Sequence, residues 1–206
     1  MRCGLLGEKL GHSYSPELHA FFGNYDYELF EVPPDQLGDF IRARDFQGLN
    51  VTIPYKTTML AICDDLTEAA AAIGSVNTVV KQLDGSLLGD NTDAAGFEGM
   101  VWKSRMRILG RKCLVLGSGG ASLSVQYVLR KLGAGEIVVI SRNGEDNYTN
   151  LDRHRDASIL VNTTPVGMYP QIDEMPVGRE ILENTEYVFD AVYNPMETKL
   201  LKTARE

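Results

Sequence analysis

Short apolar runs alternate along the chain with longer stretches of helical periodicity. Runs of four to six residues rich in Val, Ile and Leu favour buried strands, whereas apolar positions three or four residues apart favour helices. In the first half the pattern predicts strands at Arg2–Leu6, Tyr27–Val32, Leu49–Ile53, Val76–Lys81 and Ser86–Leu88. It predicts helices at Pro16–Phe22, Gln36–Arg44, Lys56–Cys63 and Glu68–Ile73. Asp84-Gly85 predicts a hairpin between the last two strands.

A second set of elements follows a long predicted helix at Asp93–Met106. It begins as a strand–helix–strand unit of about 30 residues, with its parts at Lys112–Leu116, Ser122–Leu132 and Glu136–Ile140. Two more strands are predicted at Ser158–Asn162 and Tyr187–Ala191. A polar loop is predicted at Gly144–Asp156 and a final helix at Glu197–Arg205. Alternation of this kind is typical of an α/β protein with largely parallel sheets. We expect an α/β domain over residues 1–100, a Rossmann-type domain over 101–195, and in 196–206 the start of a helix that returns to the first domain.

Composition excludes several classes of protein. The 206 residues carry 20 Lys and Arg against 28 Asp and Glu, a formal charge of −8, which argues against a nucleic-acid-binding surface. The longest apolar runs are far shorter than the roughly 20 residues that cross a bilayer, and the first residues lack a signal-peptide pattern. Cys3, Cys63 and Cys113 are odd in number and lie in apolar contexts. We therefore expect reduced, buried thiols in a cytoplasmic protein.

A glycine-rich turn joins the strand and the helix of the predicted βαβ unit. Its residues are Gly117, Ser118, Gly119, Gly120 and Ala121. Glycines let the main chain approach a pyrophosphate, and the helix N-terminus offers unpaired N–H groups. Ser122 stands where the usual motif has its third glycine, so a purely structural turn is the alternative.

The residues after the next strand bear on the choice of cofactor. An acidic side chain at this point would bind the ribose hydroxyls of NAD, but the sequence reads Ser141-Arg142-Asn143. The guanidinium of Arg142 suits the 2′-phosphate of NADP. A solvated surface arginine is the alternative, and Glu145 and Asp146 lie close by in the sequence.

Polar side chains recur at the strand ends of the first half, where ligands bind in open α/β sheets. Each has an ordinary alternative. Ser13 and Ser15 precede a helix and suit a carboxylate, although Ser15 alone would be a routine N-cap. Lys56 is otherwise a surface lysine, and Asp93 or Thr92 an N-cap. Candidates of this kind are Ser13, Ser15, Thr52, Lys56, Asn77 and Asp93.

Seven ordered motifs together resemble the shikimate dehydrogenase family over nearly the whole chain. They are His12-Ser13-x-Ser15-Pro16, Asn50-Val51-Thr52-x-Pro54-x-Lys56, Gly74-x-x-Asn77-Thr78, Gly89-Asp90-Asn91-Thr92-Asp93, Gly117-x-Gly119-Gly120-Ala121, Asn162-x-Thr164-Pro165-x-Gly167-Met168 and Val192-Tyr193-Asn194-Pro195. The resemblance implies reduction of 3-dehydroshikimate to shikimate with NADPH, in aromatic amino-acid biosynthesis. It implies a substrate-binding domain and an NADP-binding domain with the active site in the cleft between them.

The resemblance also implies roles for the candidates. Ser13 and Ser15 would hold the substrate carboxylate, with Tyr193 closing over it. Thr52, Lys56, Asn77 and Asp93 would contact the ring hydroxyls and the reacting oxygen, and Lys56 and Asp93, facing one another, would be the catalytic pair. The pyrophosphate would lie on Gly117, Ser118, Gly119, Gly120 and Ala121, the 2′-phosphate on Ser141, Arg142 and Asn143, and the nicotinamide by Ala191. Glu68 is a weaker candidate near the cofactor.

Two departures from the family pattern set further expectations. Residues 142–157 are polar where the family has a helix and another strand, so we expect a reduced wall on the adenine side. A Gly-Leu-x-Met-Leu segment and a substrate-contacting Gln of the family would follow Glu206. We therefore expect the 206-residue chain to be marginally stable and a weak catalyst. The alternatives are an NAD-using quinate/shikimate dehydrogenase and a non-catalytic shikimate-binding relative. No metal, nucleic acid or membrane is expected, and the chain would be a monomer or homodimer.

Overall fold

The computed structural model describes residues 1–11 and 13–206, so His12 lies outside the described part. The chain divides into two compact units, Met1–Thr92 and Asp93–Glu206. Within the described residues, no helix has both the length and the apolar character that crossing a membrane requires.

The first unit is built on a six-stranded mixed sheet. Its strands are β1 (Arg2–Gly7), β2 (Asp26–Glu31), β3 (Gly48–Val51), β4 (Asp65–Leu66), β5 (Thr78–Lys81) and β6 (Leu87–Asp90). They lie in the order β2-β1-β3-β5-β6-β4, with β5 antiparallel to both neighbours. The helices are α1 (Ser15–Phe22), α2 (Leu37–Ala43), α3 (Met59–Ile62) and α4 (Glu68–Ile73). The predicted α/β class is confirmed. The sheet differs from the expected largely parallel arrangement at β5, which runs antiparallel to its neighbours.

Local chemistry explains the two best-predicted features of this unit. The hairpin joining β5 and β6 turns at Gly85, whose φ is +87°, and the Asp84 carboxylate accepts from the N–H of Ser86 at 2.9 Å. Helix α4 has the predicted bounds because Thr67 Oγ1 caps the N–H of Ala70 at 3.2 Å. Gly74 ends the helix at φ +76°, a conformation that costs glycine little.

The predicted helix Lys56–Cys63 is wrong over its first turn. Helix α3 begins at Met59, because the Lys56 carbonyl accepts the N–H of Val76 at 2.8 Å and is thereby diverted from the helical pattern. The N–H of Leu60 bonds to the Thr57 carbonyl at 3.3 Å, a tighter turn. Lys56 therefore lies on a turn that a residue 20 positions away holds in place.

The second unit is built on a four-stranded parallel sheet. Its strands are β7 (Lys112–Leu116), β8 (Glu136–Ile140), β9 (Ile159–Asn162) and β10 (Tyr187–Asp190), in the order β10-β9-β7-β8. The helices are α5 (Asp93–Ser104), α6 (Gly120–Lys131), α7 (Arg179–Leu182) and α8 (Lys199–Arg205). The order reverses at β7, whose neighbours are β8 and β9. Such a switch point is where open α/β sheets bind their ligands.

The predicted polar loop Gly144–Asp156 contains one element that the sequence pattern did not reveal. A 3₁₀ helix spans Leu151–His154. Leu151 is buried in the core with Leu114, Ile140 and Leu200. A single apolar residue in a polar stretch has no periodicity, so this turn was not predicted. The four-residue helix α7 was not predicted either. The segment is anchored in the core of its unit.

Candidate active site

Polar residues of the first unit follow its strand ends along one edge of the sheet. Leu6 and Val51 are register partners on β1 and β3, so the next residues, Gly7 and Thr52, lie side by side. The N–H of Thr52 donates to the Leu6 carbonyl at 2.9 Å. Thr52 and Lys56 are both partly buried. The bond from the Val76 N–H to the Lys56 carbonyl brings the turn carrying Lys56 beside the start of β5.

Asn77 is the polar centre of this edge and is 7% exposed. Its Oδ1 accepts from the N–H of Thr92 at 2.8 Å and from the Thr92 hydroxyl at 3.1 Å. Its Nδ2 lies 3.0 Å from Thr92 Oγ1. The carbonyl of Asn77 accepts from the N–H of Val51 at 2.7 Å. One side chain thus fixes the main chain immediately before Asp93, the first residue of α5.

Ser13 and Ser15 lie together at the start of α1. The Ser13 hydroxyl accepts from the N–H of Ser15 at 3.2 Å, and the helix has no side-chain capping bond at its N-cap residue, Tyr14. The routine N-cap interpretation of Ser15 is therefore wrong. Burial raises the pKa of Tyr27 to about 12, and a hydrogen bond with Ser15 opposes that rise. The Tyr27 hydroxyl donates to Asn50 at 2.7 Å, which links the serines to the end of β3.

The strand ends of the second unit form one aligned row. Leu116 is the register partner of Ile140 on β8 and of Asn162 on β9, and Asn162 is the partner of Asp190 on β10. The residues that leave the sheet at this carboxyl edge are Gly117, Ser141, Thr163 and Ala191. Three of the four, Gly117, Ser141 and Ala191, are predicted cofactor residues. The pairing of the strands therefore brings residues that are far apart in the sequence to one edge of the sheet.

The glycine turn is closely packed at its first glycine and open at the next. Gly117 has φ +101°, and a Cβ there would come within 2.9 Å of Thr163 Oγ1. Its N–H donates to the Ile140 carbonyl at 2.8 Å. A Cβ on Gly119 would meet nothing within 4 Å, so the surface over the turn is open. Helix α6 begins directly after Gly119, and its N-terminal N–H groups and dipole suit a pyrophosphate.

Asp190 organises the segment that carries Ala191 and Tyr193. Its Oδ1 accepts from Asn162 Nδ2 at 2.9 Å and from the N–H of Val192 at 3.0 Å. Its Oδ2 accepts from the Thr198 hydroxyl at 2.7 Å. Burial raises the pKa of Asp190, and these three hydrogen bonds oppose the rise. The carboxylate joins β9, β10 and the start of α8.

Comparison with known proteins places this geometry in a family. The family model for the shikimate dehydrogenase substrate binding domain matches residues 5–79. A shikimate dehydrogenase (NADP(+)) from Clostridium perfringens is 38% identical, over 98% of this chain and 82% of that protein. The chain belongs to the shikimate dehydrogenase family.

Two solved structures of the family have the same fold. Shikimate dehydrogenase 1 from Peptoclostridium difficile has a TM-score of 0.91 at 32% identity, covering 99% of this chain and 82% of that one. The enzyme from Thermus thermophilus, solved in complex with NADP(H) and shikimate, has a TM-score of 0.85 at 33% identity, with 100% and 84% covered. The resemblance inferred from the seven motifs is confirmed.

The structure brings the predicted family residues together to different degrees. Thr52, Lys56 and Asn77 share one edge of the first sheet. Gly117–Ala121, Ser141 and Ala191 share the carboxyl edge of the second. Arg142 and Asn143 are exposed on the turn after β8, and Tyr193 is 58% exposed. Asp93 begins α5, and Glu68 is exposed at the first position of α4. Their roles stay predictions.

The residues that hold the candidates in place were largely missed from sequence. Asn162 and Asp190 support the second edge, while Tyr27 and Asn50 support the serines of the first. Asn50 and Asn162 stand in the quoted motifs, yet no role was assigned to them. A polar residue as the last position of a buried strand is the signal that would have marked Asn162 and Asp190.

Proposed function

We propose that this chain catalyses the reversible reduction of 3-dehydroshikimate to shikimate with NADPH. The observation that carries the proposal is the aligned carboxyl edge of the second sheet. There Gly117 and Ser141 leave the adjacent strands β7 and β8, the N-terminus of α6 follows the glycine turn directly, and Ala191 leaves β10, which β9 separates from β7. Membership of a family whose curated relatives are named NADP(+) enzymes supports it.

The second unit is the part that binds NADP in this proposal. The open turn Gly117–Ala121 holds the pyrophosphate, with Ala191 by the nicotinamide. Ser141, Arg142 and Asn143 hold the 2′-phosphate, and Arg142 supplies the charge-assisted bonds. When bound, NADPH supplies a hydride to the substrate carbonyl.

The first unit, Met1–Thr92, is the part that binds the substrate, and it ends a few residues before the boundary near residue 100 that the sequence predicts. Ser13 and Ser15 hold the carboxylate, and the resemblance adds the hydroxyl of Tyr193, which belongs to the second unit. Thr52 and Asn77 contact the ring hydroxyls. These neutral donors suit a small polar acid, because each hydroxyl or amide both accepts and donates.

Lys56 and Asp93 do the acid–base work. Negative charge develops on the carbonyl oxygen as the hydride arrives, and the Lys56 ammonium stabilises that charge and donates the proton. The Asp93 carboxylate accepts a hydrogen bond from a substrate hydroxyl. In the reverse direction Lys56 takes the proton from shikimate.

The test follows NADPH absorbance after addition of 3-dehydroshikimate to the purified chain. We expect oxidation that requires both compounds, and the reverse reaction with shikimate and NADP. Parallel assays with NADH and with quinate address the alternative of an NAD-using quinate/shikimate dehydrogenase. Binding of shikimate in a calorimeter without turnover would instead identify a non-catalytic relative.

A reducing, cytoplasmic environment is part of this proposal. It is supported by the thiols of Cys3, Cys63 and Cys113, all three of which are free, although only Cys113 is fully buried as expected and the other two are partly exposed. Burial raises the pKa of Cys63 and of Cys113 to about 11, which keeps both in the unreactive thiol form.

A further inference from the structure

The turn that carries Arg142 is closed by hydrogen bonds within its own segment. The N–H of Ser141 donates to the Asp146 carbonyl at 3.2 Å. Gly144 lies inside this turn, and a Cβ there would come within 2.6 Å of Ser141 Oγ. Another residue at position 144 would therefore require the Ser141 hydroxyl to move. Its position is set beside the glycine turn, because Ile140 accepts the N–H of Gly117.

A histidine outside the turn holds Asp146 in place. His154 Nε2 lies 2.8 Å from Asp146 Oδ1, and the exposed fractions of the two side chains are 11% and 33%. His154 ends the 3₁₀ helix that Leu151 anchors in the core. A continuous path thus runs from the core through His154 and Asp146 to Ser141, the residue before Arg142.

The hydrogen bond has a defined direction. His154 Nδ1 is buried and has no hydrogen-bond partner in the described part of the chain. A proton there would be a buried donor without a partner, which is unfavourable. The proton therefore belongs on Nε2, which donates to the carboxylate of Asp146. A side-chain amide of similar reach can make the same bond.

The rest of the segment supports the turn from the other side. Asn150 Nδ2 donates to the Glu145 carbonyl at 2.9 Å, and Asn150 Oδ1 accepts from the N–H of Asn147 at 2.8 Å. Burial raises the pKa of Tyr148, and the nearby Arg142 guanidinium opposes the rise. Arg142 and Tyr148 therefore lie within electrostatic reach of each other.

We infer that His154, acting through Asp146, is a positioning residue that orients the Ser141–Asn143 turn for the 2′-phosphate of NADP and so sets the preference for NADP over NAD. This inference rests on the proposed function, in which Arg142 binds that phosphate. His154 itself touches neither cofactor nor substrate. It fixes the turn from which Arg142 reaches out, in a segment where the family has a helix and a strand.

The direct test is calorimetric binding of adenosine 2′,5′-bisphosphate and of 5′-AMP, which requires no turnover. His154→Ala removes one hydrogen bond, so we expect about three- to tenfold weaker binding of the bisphosphate. Binding of 5′-AMP should not change. His154→Gln restores an N–H donor and should recover most of the loss. In the assay, KM for NADPH should rise while kcat and KM for NADH stay constant.

Asp146→Ala is the second variant, since this more exposed residue is less critical for folding. It should copy the effect of His154→Ala, and the double variant should bind the bisphosphate no worse than either single one. Additive losses would overturn the inference. Arg155→Ala is the matched control, because it removes the exposed pair with Asp152 from the same segment and should change neither ligand's affinity.

Arg142→Ala distinguishes failure of the inference about His154 from failure of the proposed 2′-phosphate site. If it weakens the bisphosphate while His154→Ala does not, the inference is overturned and the proposed role of Arg142 stands. If Arg142→Ala leaves both ligands unchanged, the proposed 2′-phosphate site is wrong and the inference falls with it. Equal weakening of both ligands by His154→Ala would mean that His154 supports only the fold.

Discussion

Asn77 holds Thr92 at two atoms, accepting its main-chain N–H at 2.8 Å and its hydroxyl at 3.1 Å. These residues are 15 positions apart, and the second immediately precedes Asp93. A side chain proposed to contact substrate therefore also positions the main chain next to a proposed catalytic residue. The two roles are separable by substitution.

Asn77→Ala should lower the free energy of unfolding by about 1–3 kcal/mol, because it leaves buried partners unpaired. It should also lower kcat/KM. Asn77→Asp keeps the acceptor for the Thr92 N–H but loses the amide donor, so its loss of stability should be smaller. Thr78→Val is the control, since it removes a donor to Asn77 Oδ1 and a 3.4 Å contact with Thr92 Oγ1 but leaves the bonds between Asn77 and Thr92 in place. Urea unfolding and initial rates are the measurements. Equal stability of the Asn77→Ala variant and the parent would contradict this assignment.

Lys56→Ala should lower kcat about 10²- to 10⁴-fold, the usual contribution of a positioned general acid. KM for 3-dehydroshikimate should change much less, because charge on the oxygen develops mainly in the transition state. Lys103→Ala, at an exposed lysine on α5, should leave both constants as they are. An unchanged kcat in the Lys56 variant would remove this residue from the mechanism.

Two glycines of the cofactor turn should respond differently to the same change. Gly117→Ala puts a Cβ at φ +101° and within 2.9 Å of Thr163, so it should destabilise the fold by about 1–3 kcal/mol. Gly119→Ala meets no neighbour and should leave thermal stability unchanged. Its methyl group faces the open surface of the turn, so NADPH binding should weaken. Melting curves and NADPH titrations check both, and normal NADPH binding by the Gly119→Ala variant would move the pyrophosphate elsewhere.

The pH dependence of stability should carry a contribution from Asp190. Burial raises the pKa of Asp190, so the folded protein keeps a proton that the unfolded chain has released. This contribution to the free energy of unfolding is fully present below the ordinary pKa, and it is lost as pH rises through the raised value. The stability of the parent relative to Asp190→Asn should therefore fall with rising pH. Urea unfolding at several pH values measures this difference.

The exposed Asp173 offers the control for that series. Asp173→Asn should follow the parent in parallel across the same pH values. A parent that gains stability over Asp190→Asn as pH rises would show that the hydrogen bonds from Asn162, Val192 and Thr198 outweigh burial.

Periodicity and local capping were enough to predict the elements whose stabilising contacts are near in sequence. Strand Lys112–Leu116 and helix Glu68–Ile73 have the predicted bounds because apolar runs, Thr67 and Gly74 define them locally. Prediction from local patterns fails at Lys56. Its carbonyl accepts a hydrogen bond from the N–H of Val76, a partner that only the folded sheet supplies. The candidates themselves were recognisable as motifs. Their supports, such as Asp190 beneath Ala191, depend on pairing between strands that local patterns do not encode.

Strand β8 lies at the margin of its sheet, beside β7 and followed by the segment 141–157. A helix and a strand added after Asn143 would extend the sheet outward and leave the order of β7, β9 and β10 untouched. The length of this segment can therefore change without altering the strands that carry the glycine turn, Asn162 and Asp190. Where the segment is as short as it is here, we expect fewer residues to enclose the adenine side, so the choice of cofactor would depend on the few polar residues of one turn.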